Sequence, residues 1–192
     1  MNYSFVSMRF SWLNLAILVS VVLITLASCA ADTEIAYTEV QPRTLEQGQE
    51  IPSATGETIF TLNGGTIGNE PINIDVALIE SLGTVKYSVQ DPYENRQVEY
   101  EGVLVESIID QFGDSKTTGL TLTAIDDYQQ TIPREHLEKW PVMLALKADG
   151  EYAPRSHRGP AMIVYPYDSY SELDPSTYDP FWIWQIANIT VE

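Results

Sequence analysis

Hydrophobic and polar positions divide the chain into three stretches of different pattern. Residues 10–26 are an apolar run broken only by Ser11, Asn14, Ser20 and Thr25, and Arg9 precedes it. Residues 30–56 hold Thr, Glu, Gln, Pro, Ser and Gly with scattered apolar residues and no period, the pattern of a flexible tether. From residue 57 onward, alternating runs that predict strands are interleaved with short stretches of helical period.

The runs can be placed one by one. Residues 58–62 are rich in strand formers and close on Asn63-Gly64-Gly65, a turn signal. Asp75 stands where it would cap a short helix through Leu82, with Gly83 ending it. Residues 84–89 alternate as a strand, and 97–100 supply its hairpin partner. Gly102 introduces a helix with Leu104, Ile108, Ile109 and Phe112 on one side, stopped by Gly113. Residues 120–125 and 128–132 predict two strands, Pro133 opens a short helix, and 142–148 read as an apolar, buried strand closed by Asp149-Gly150. His136, beside Glu135 and Glu138, reads as solvent-facing. Residues 161–165 and 181–191 add strands, the second with Trp182, Trp184 and Ile186 alternating with Ile183, Gln185 and Ala187. The result is one α+β domain over residues 57–192, mixed and β-dominated.

The first stretch has the charged-then-apolar order of a secretory signal. It ends in Leu26-Ala27-Ser28-Cys29, a small-residue cleavage site followed by the only cysteine of the chain. This matches the bacterial lipobox, whose thiol is acylated with fatty acids such as palmitate. Residues 1–28 are then a lipoprotein signal peptide, and 29–56 a lipidated tether. A membrane-spanning helix is the competing reading, since the run nearly matches a bilayer core of about 30 Å. The position of Cys29 and the polar segment directly after it favour the lipobox. The expected location is the periplasmic face of a bacterial membrane, with Ala30 favouring the outer one.

Composition narrows the chemistry. With Cys29 acylated, no thiol is left for a disulfide, a metal or a nucleophile. The net charge of −17 becomes −18 once Arg9 leaves with residues 1–28, which disfavours nucleic acid. Two separated histidines make no zinc pattern, and no Gly-x-Ser-x-Gly or phosphate-loop motif is present. The acidic, tyrosine-rich segment 167–179 lacks the spacing and central glycine of a calcium loop and reads as a lid or partner-binding loop.

Three groups of residues carry candidate binding chemistry. Arg155, His157 and Arg158 precede Gly159-Pro160, so they belong to a bent, exposed loop whose guanidiniums suit a phosphate or a polar heterocycle. They would equally serve to offset the acidic surface. Asp126, Asp127 and Tyr128 sit at a predicted strand-to-strand turn, where a carboxylate can accept from an amino-pyrimidine edge and a phenol can cover a ring. Asp-Asp is also an ordinary turn pair. Trp140, Trp182 and Trp184 serve either as stacking surfaces or as core.

The order of several blocks resembles the oxidoreductase molybdopterin-binding domain, the sulfite oxidase fold. The blocks are Glu101-Gly102-Val103-Leu104, Ala124-Ile125-Asp126-Asp127-Tyr128, Ile132-Pro133, Leu144-Ala145-Leu146 with Asp149-Gly150, Arg155, His157-Arg158-Gly159-Pro160, Val164-Tyr165-Pro166-Tyr167-Asp168, and the stretch from Trp184 to the end. In the resembled enzymes a cysteine upstream of the Glu101-Gly102 block holds molybdenum, whereas Lys86-Tyr87-Ser88-Val89-Gln90-Asp91 contains none. The signal lacks the arginine pair used to export folded, cofactor-loaded proteins, and the arginine that commonly follows the Gly-Pro block is replaced at Ala161-Met162.

The chain looks like the cysteine-less periplasmic members of this fold, which bind small pterins and report to a membrane enzyme that makes or degrades cyclic di-GMP. That resemblance implies a pterin held as ligand by Arg155, His157, Arg158, Asp127, Tyr128, Trp140 and Trp182, with no metal, catalytic residue or tightly bound cofactor. The partner it implies is a membrane receptor with a periplasmic domain. A molybdopterin-dependent oxidoreductase and a ligand-free protein-binding lipoprotein are the alternatives.

Overall fold

Alternate residues along β4 (Thr84–Asp91) point inward, so that Val85, Tyr87, Val89 and Asp91 are buried while Ser88 and Gln90 face out. The strand turns back at residues 92–95 into β5 (Arg96–Leu104), in a register that pairs Asp91 with Arg96 and Tyr87 with Tyr100. β8 (Met143–Ala148) lies on the far edge of β5, followed by β10 (Met162–Val164), and β1 (Thr38–Gln41) lines the outer edge of β4. β9 (Glu151–Tyr152) folds back onto β8. A second sheet runs in the order β3 (Gly68–Ile74), β2 (Phe60–Gly64), β11 (Ile186–Val191), β6 (Gly119–Ala124) and β7 (Gln129–Pro133). There β11 is parallel to β2 and antiparallel to β6.

This computed structural model describes residues 36–192. Cys29 and the signal reading of residues 1–28 lie outside that range. The core between the elements is apolar, with Leu62, Val89, Val103, Ile108, Leu122, Leu144, Ile163 and Ile189 fully enclosed. Each such side chain favours the folded state by about 1.5–3 kcal/mol. No helix among the described residues is long and apolar enough to cross a membrane.

The predicted α+β, β-dominated domain is present, with four local corrections. Gly102 belongs to β5 rather than to a helix start, because a Cβ there would collide with the carbonyl oxygen of Leu144 on β8. The helix begins at Val105 instead (α2, Val105–Phe112). Residues 181–185 are not strand; β11 starts at Ile186, and Trp184 makes only a single bridge to Met162. β3 was not anticipated, since this edge strand is mostly exposed and lacks alternation.

The fourth correction concerns the tether. Residues 36–56 lie bound along the domain: β1 pairs with β4, and Leu45 is buried. The N–H groups of Thr44 and Leu45 donate to the carbonyl of Ser81. Asp75 anchors the end of this segment. Its carboxylate accepts from Thr55 and Gly56, each at 2.7 Å, and from Leu78 at 2.8 Å, where it caps α1 (Val76–Glu80). The N–H of Gly56, followed by that of Leu78, holds the Asp75 carboxyl below the usual range.

His136 is likewise buried, against the reading that it faces solvent. It lies on α3 (Arg134–Lys139), shares a 2.9 Å hydrogen bond with the Tyr165 hydroxyl, and is met edge-on by Trp140, Tyr178 and Phe181. Burial pushes the imidazole pKa down and keeps it neutral. The cluster pins the segment that runs through Tyr167–Ser169, α4 (Pro175–Tyr178) and Asp179–Phe181.

Asp75→Ala is expected to lower stability by about 1–2 kcal/mol in denaturant titrations, as loss of a helix cap does. Because the folded-state pKa of Asp75 is depressed, its contribution is present above about pH 4 and is lost as pH falls through the folded value. Asp75→Asn should therefore flatten acid unfolding. His136 has the same sign: its folded pKa is below about 6.5, so protonation opposes folding as the pH drops beneath that value. Melting temperatures measured between about pH 7 and pH 5 should fall less for His136→Gln than for the unaltered protein.

Candidate functional site

The site grows from the end of β4. Asp91 is fully enclosed, and a carboxylate there requires donors. It accepts from the N–H groups of Tyr93 (2.7 Å) and Glu94 (2.8 Å), which closes the β4–β5 turn. The Tyr100 hydroxyl donates to its other oxygen at 2.5 Å, and Arg158 Nη1 reaches the same oxygen at 2.6 Å. Burial alone would raise the Asp91 pKa. The hydrogen bond from Tyr100, the two backbone donors and the Arg158 charge outweigh it and hold the carboxyl below its usual range. Burial and the bond to Asp91 push the Tyr100 phenol up, so it remains a donor.

The Arg158 guanidinium is also covered by aromatic rings. Its centre lies 5.4 Å from the centroids of both Tyr93 and Trp184, whose rings meet edge-on at 5.1 Å. Backbone geometry aims it there, with a φ of +59° at Arg158 in a turn where His157 and Gly159 donate to the Pro154 carbonyl.

Tyr93 and Trp184 also form part of the wall of a cavity of about 250 Å³. Tyr128 and Trp182 add two more aromatic walls, and Asp126 and Asp179 are also among the lining residues. Tyr93 donates to the Asp179 carbonyl at 3.0 Å and Tyr128 to the Pro180 carbonyl at 3.1 Å, so both phenols tie their turns to the same short segment. Trp182 stacks on Tyr167 at 5.4 Å. Its Nε1–H is buried and has no acceptor among the described residues. The arrangement suits a flat ring held between π faces, with hydrogen bonds at its edge.

The structure distributes the sequence-predicted residues unevenly. Tyr128 and Trp182 line the cavity. Arg158 stands beside it, with its charge directed to Asp91. Arg155 donates to the Thr58 and Ile59 carbonyls, and exposed His157 pairs with Glu94 at 3.1 Å. Arg155 therefore stands apart, whereas His157 and Arg158 meet at Glu94 Oε1. Asp127 is an exposed turn residue with a φ of +66°, and its neighbour Asp126 is the one at the cavity. Trp140 is buried in the His136 cluster and does not line the cavity.

Sequence reasoning missed Tyr93 and the Asp91–Tyr100–Arg158 network. The run Asp91-Pro92-Tyr93-Glu94-Asn95 announces a turn, but nothing in it tells of residues 128, 158 or 182.

A second hollow of about 200 Å³ holds Glu94, Arg96, Asp149, His157 and Arg158. Its cations are paired: Arg96 contacts Glu94 and Asp149, each at 2.7 Å. No group of three metal-ligating side chains is assembled among the described residues.

No protein-family model matches the chain, and no curated protein is detectably similar to it in sequence. Among solved structures, the crystal structure of the sulfane dehydrogenase SoxCD from Paracoccus pantotrophus superposes with a TM-score of 0.51 at 14% identity. The match covers 73% of this chain and 39% of that one, so the chain spans well under half the length of the structure it resembles. At that identity the likeness establishes the fold alone, an arrangement of strands and helices shared with part of that dehydrogenase.

Proposed function

We propose that this protein is a non-catalytic pterin-binding lipoprotein, anchored through Cys29 on the periplasmic face of a membrane, that relays ligand occupancy to a membrane signalling partner. The observation that carries the reading is the cavity walled by Tyr93, Tyr128, Trp182 and Trp184. Its volume of about 250 Å³ falls just below the range of about 300–1,000 Å³ typical of drug-sized ligands and suits a single bicyclic ring.

A molybdenum-bearing pyranopterin fits these residues poorly. The described residues contain no cysteine to supply a thiolate. Asp91, in the stretch where that cysteine is expected, is saturated by internal donors, and the cations of the 155–158 loop are already engaged. The alternative of a molybdopterin-dependent oxidoreductase draws on the fold shared with a sulfane dehydrogenase. Metal analysis of protein from its native host tests it, and bound molybdenum would favour it over our reading.

Signalling follows by linkage. A ligand between the β4–β5 turn, the β6–β7 turn and the 179–184 segment favours one arrangement of the three, and a partner that prefers this arrangement binds more tightly. The acidic surface and the segment 167–179 are the regions proposed to meet that partner.

Titration of the full-length protein in detergent with a tetrahydropterin, followed by tryptophan fluorescence, is expected to show saturable quenching; none up to millimolar ligand would remove the proposal. Trp184→Ala should weaken binding roughly tenfold or more through loss of a stacking face. Arg158→Ala should act differently. It leaves Asp91 without its countercharge, so it should lower stability by about 3 kcal/mol or more, read as a fall in the unfolding midpoint.

A further inference from the structure

We infer that the aromatic cavity selects an unphosphorylated ring with N–H donors on its edge, read by Asp126 and Asp179; this rests on the cavity being the ring-binding site proposed above. The lining includes the acidic residues Asp126 and Asp179 and no Lys, Arg or His. The nearby guanidinium of Arg158 is bonded to Asp91, lies 3.7 Å from Glu94, and is covered by Tyr93 and Trp184. Among the described residues no cation is therefore available at the cavity to answer a phosphate. The cations of the neighbouring hollow are matched by Glu94 and Asp149.

The carboxylates are held in place but are not saturated by their internal bonds. Asp126 accepts from the Tyr128 N–H at 3.2 Å and Asp179 from the Tyr167 hydroxyl at 3.0 Å, each through Oδ1. In both, the second oxygen remains to accept from a ligand. Trp182 offers the complementary group. It is a wall residue only 2% exposed, and its Nε1–H has no acceptor among the described residues, a donor that a ring carbonyl would answer. A ring with amino and amide N–H groups and one carbonyl meets all three. A phosphate tail would instead bring negative charge towards two carboxylates in a partly desolvated site.

The test compares neopterin with its monophosphate, which share one ring system, by equilibrium titration against the full-length protein in detergent at low salt. Neopterin is expected to bind at least about tenfold more tightly, and the gap should narrow as salt screens the carboxylates. Asp126→Asn, at an exposed position that leaves the core untouched, should narrow it too, and Asp126→Asn with Asp179→Asn should nearly close it. Equal binding of the two compounds, or tighter binding of the phosphate, would overturn the charge selection and leave the ring-binding reading standing. A full preference persisting in the double variant, with its melting temperature retained, would overturn the role of the two aspartates. Binding of neither compound would overturn the inference, whereas the reading beneath it stands or falls with the tetrahydropterin titration above.

Discussion

A carboxylate without solvent has to be answered by donors, and Asp91 draws four of them from three parts of the chain. Leaving such a charge unanswered costs several kcal/mol, so the groups that reach it are constrained together. The two backbone donors shape the turn that carries Tyr93. Arg158 is brought inward and becomes the surface against which Tyr93 and Trp184 lie. Tyr100, held neutral by burial and by the bond it makes, completes the set from β5. The geometry of the aromatic cavity thus rests on an ion pair that stands behind its wall.

The cavity also joins the two sheets. Tyr93 comes from a turn of the first sheet and Tyr128 from a turn of the second, and both hydroxyls donate to backbone carbonyls at residues 179 and 180. On its other flank that short segment is pinned by the packing of Tyr178 and Phe181 around neutral His136. A buried histidine that does not itself line the cavity therefore helps to fix one of its walls. The walls of the cavity are thus tied to a turn of each sheet and to the cluster around His136.

The shared fold with a sulfane dehydrogenase and the side chains of this chain point in different chemical directions. A fold carries strand order, not a reaction. Here the cations of the loop before Gly159-Pro160 face inward or pair with carboxylates, and the acidic groups Asp126 and Asp179 stand at the cavity instead. Such a site is equipped to accept hydrogen bonds from a ligand and poorly equipped to hold an anionic one.

Local pattern was enough for the β4–β5 hairpin, the Asp75 cap, the buried β8 and the mixed, β-dominated class, because period, capping and turn chemistry act over a few residues. It also singled out Tyr128 and Trp182, and both line the cavity. It failed where long-range contact overrides local preference. β1 and the rest of residues 36–56 look like a tether until Asp75, Ser81 and the free edge of β4 supply partners for their backbone. His136 looks solvated beside two glutamates until the rings of Tyr178 and Phe181 close over it. Arg158 reads as a ligand contact by residue type, yet the direction of its guanidinium is decided by a carboxylate 67 residues earlier in the chain. The sequence by itself determined which residues could bond or stack; only the tertiary structure decided which of those bonds were made within the protein and which groups were left open, because burial and partner distance are properties of the packed chain.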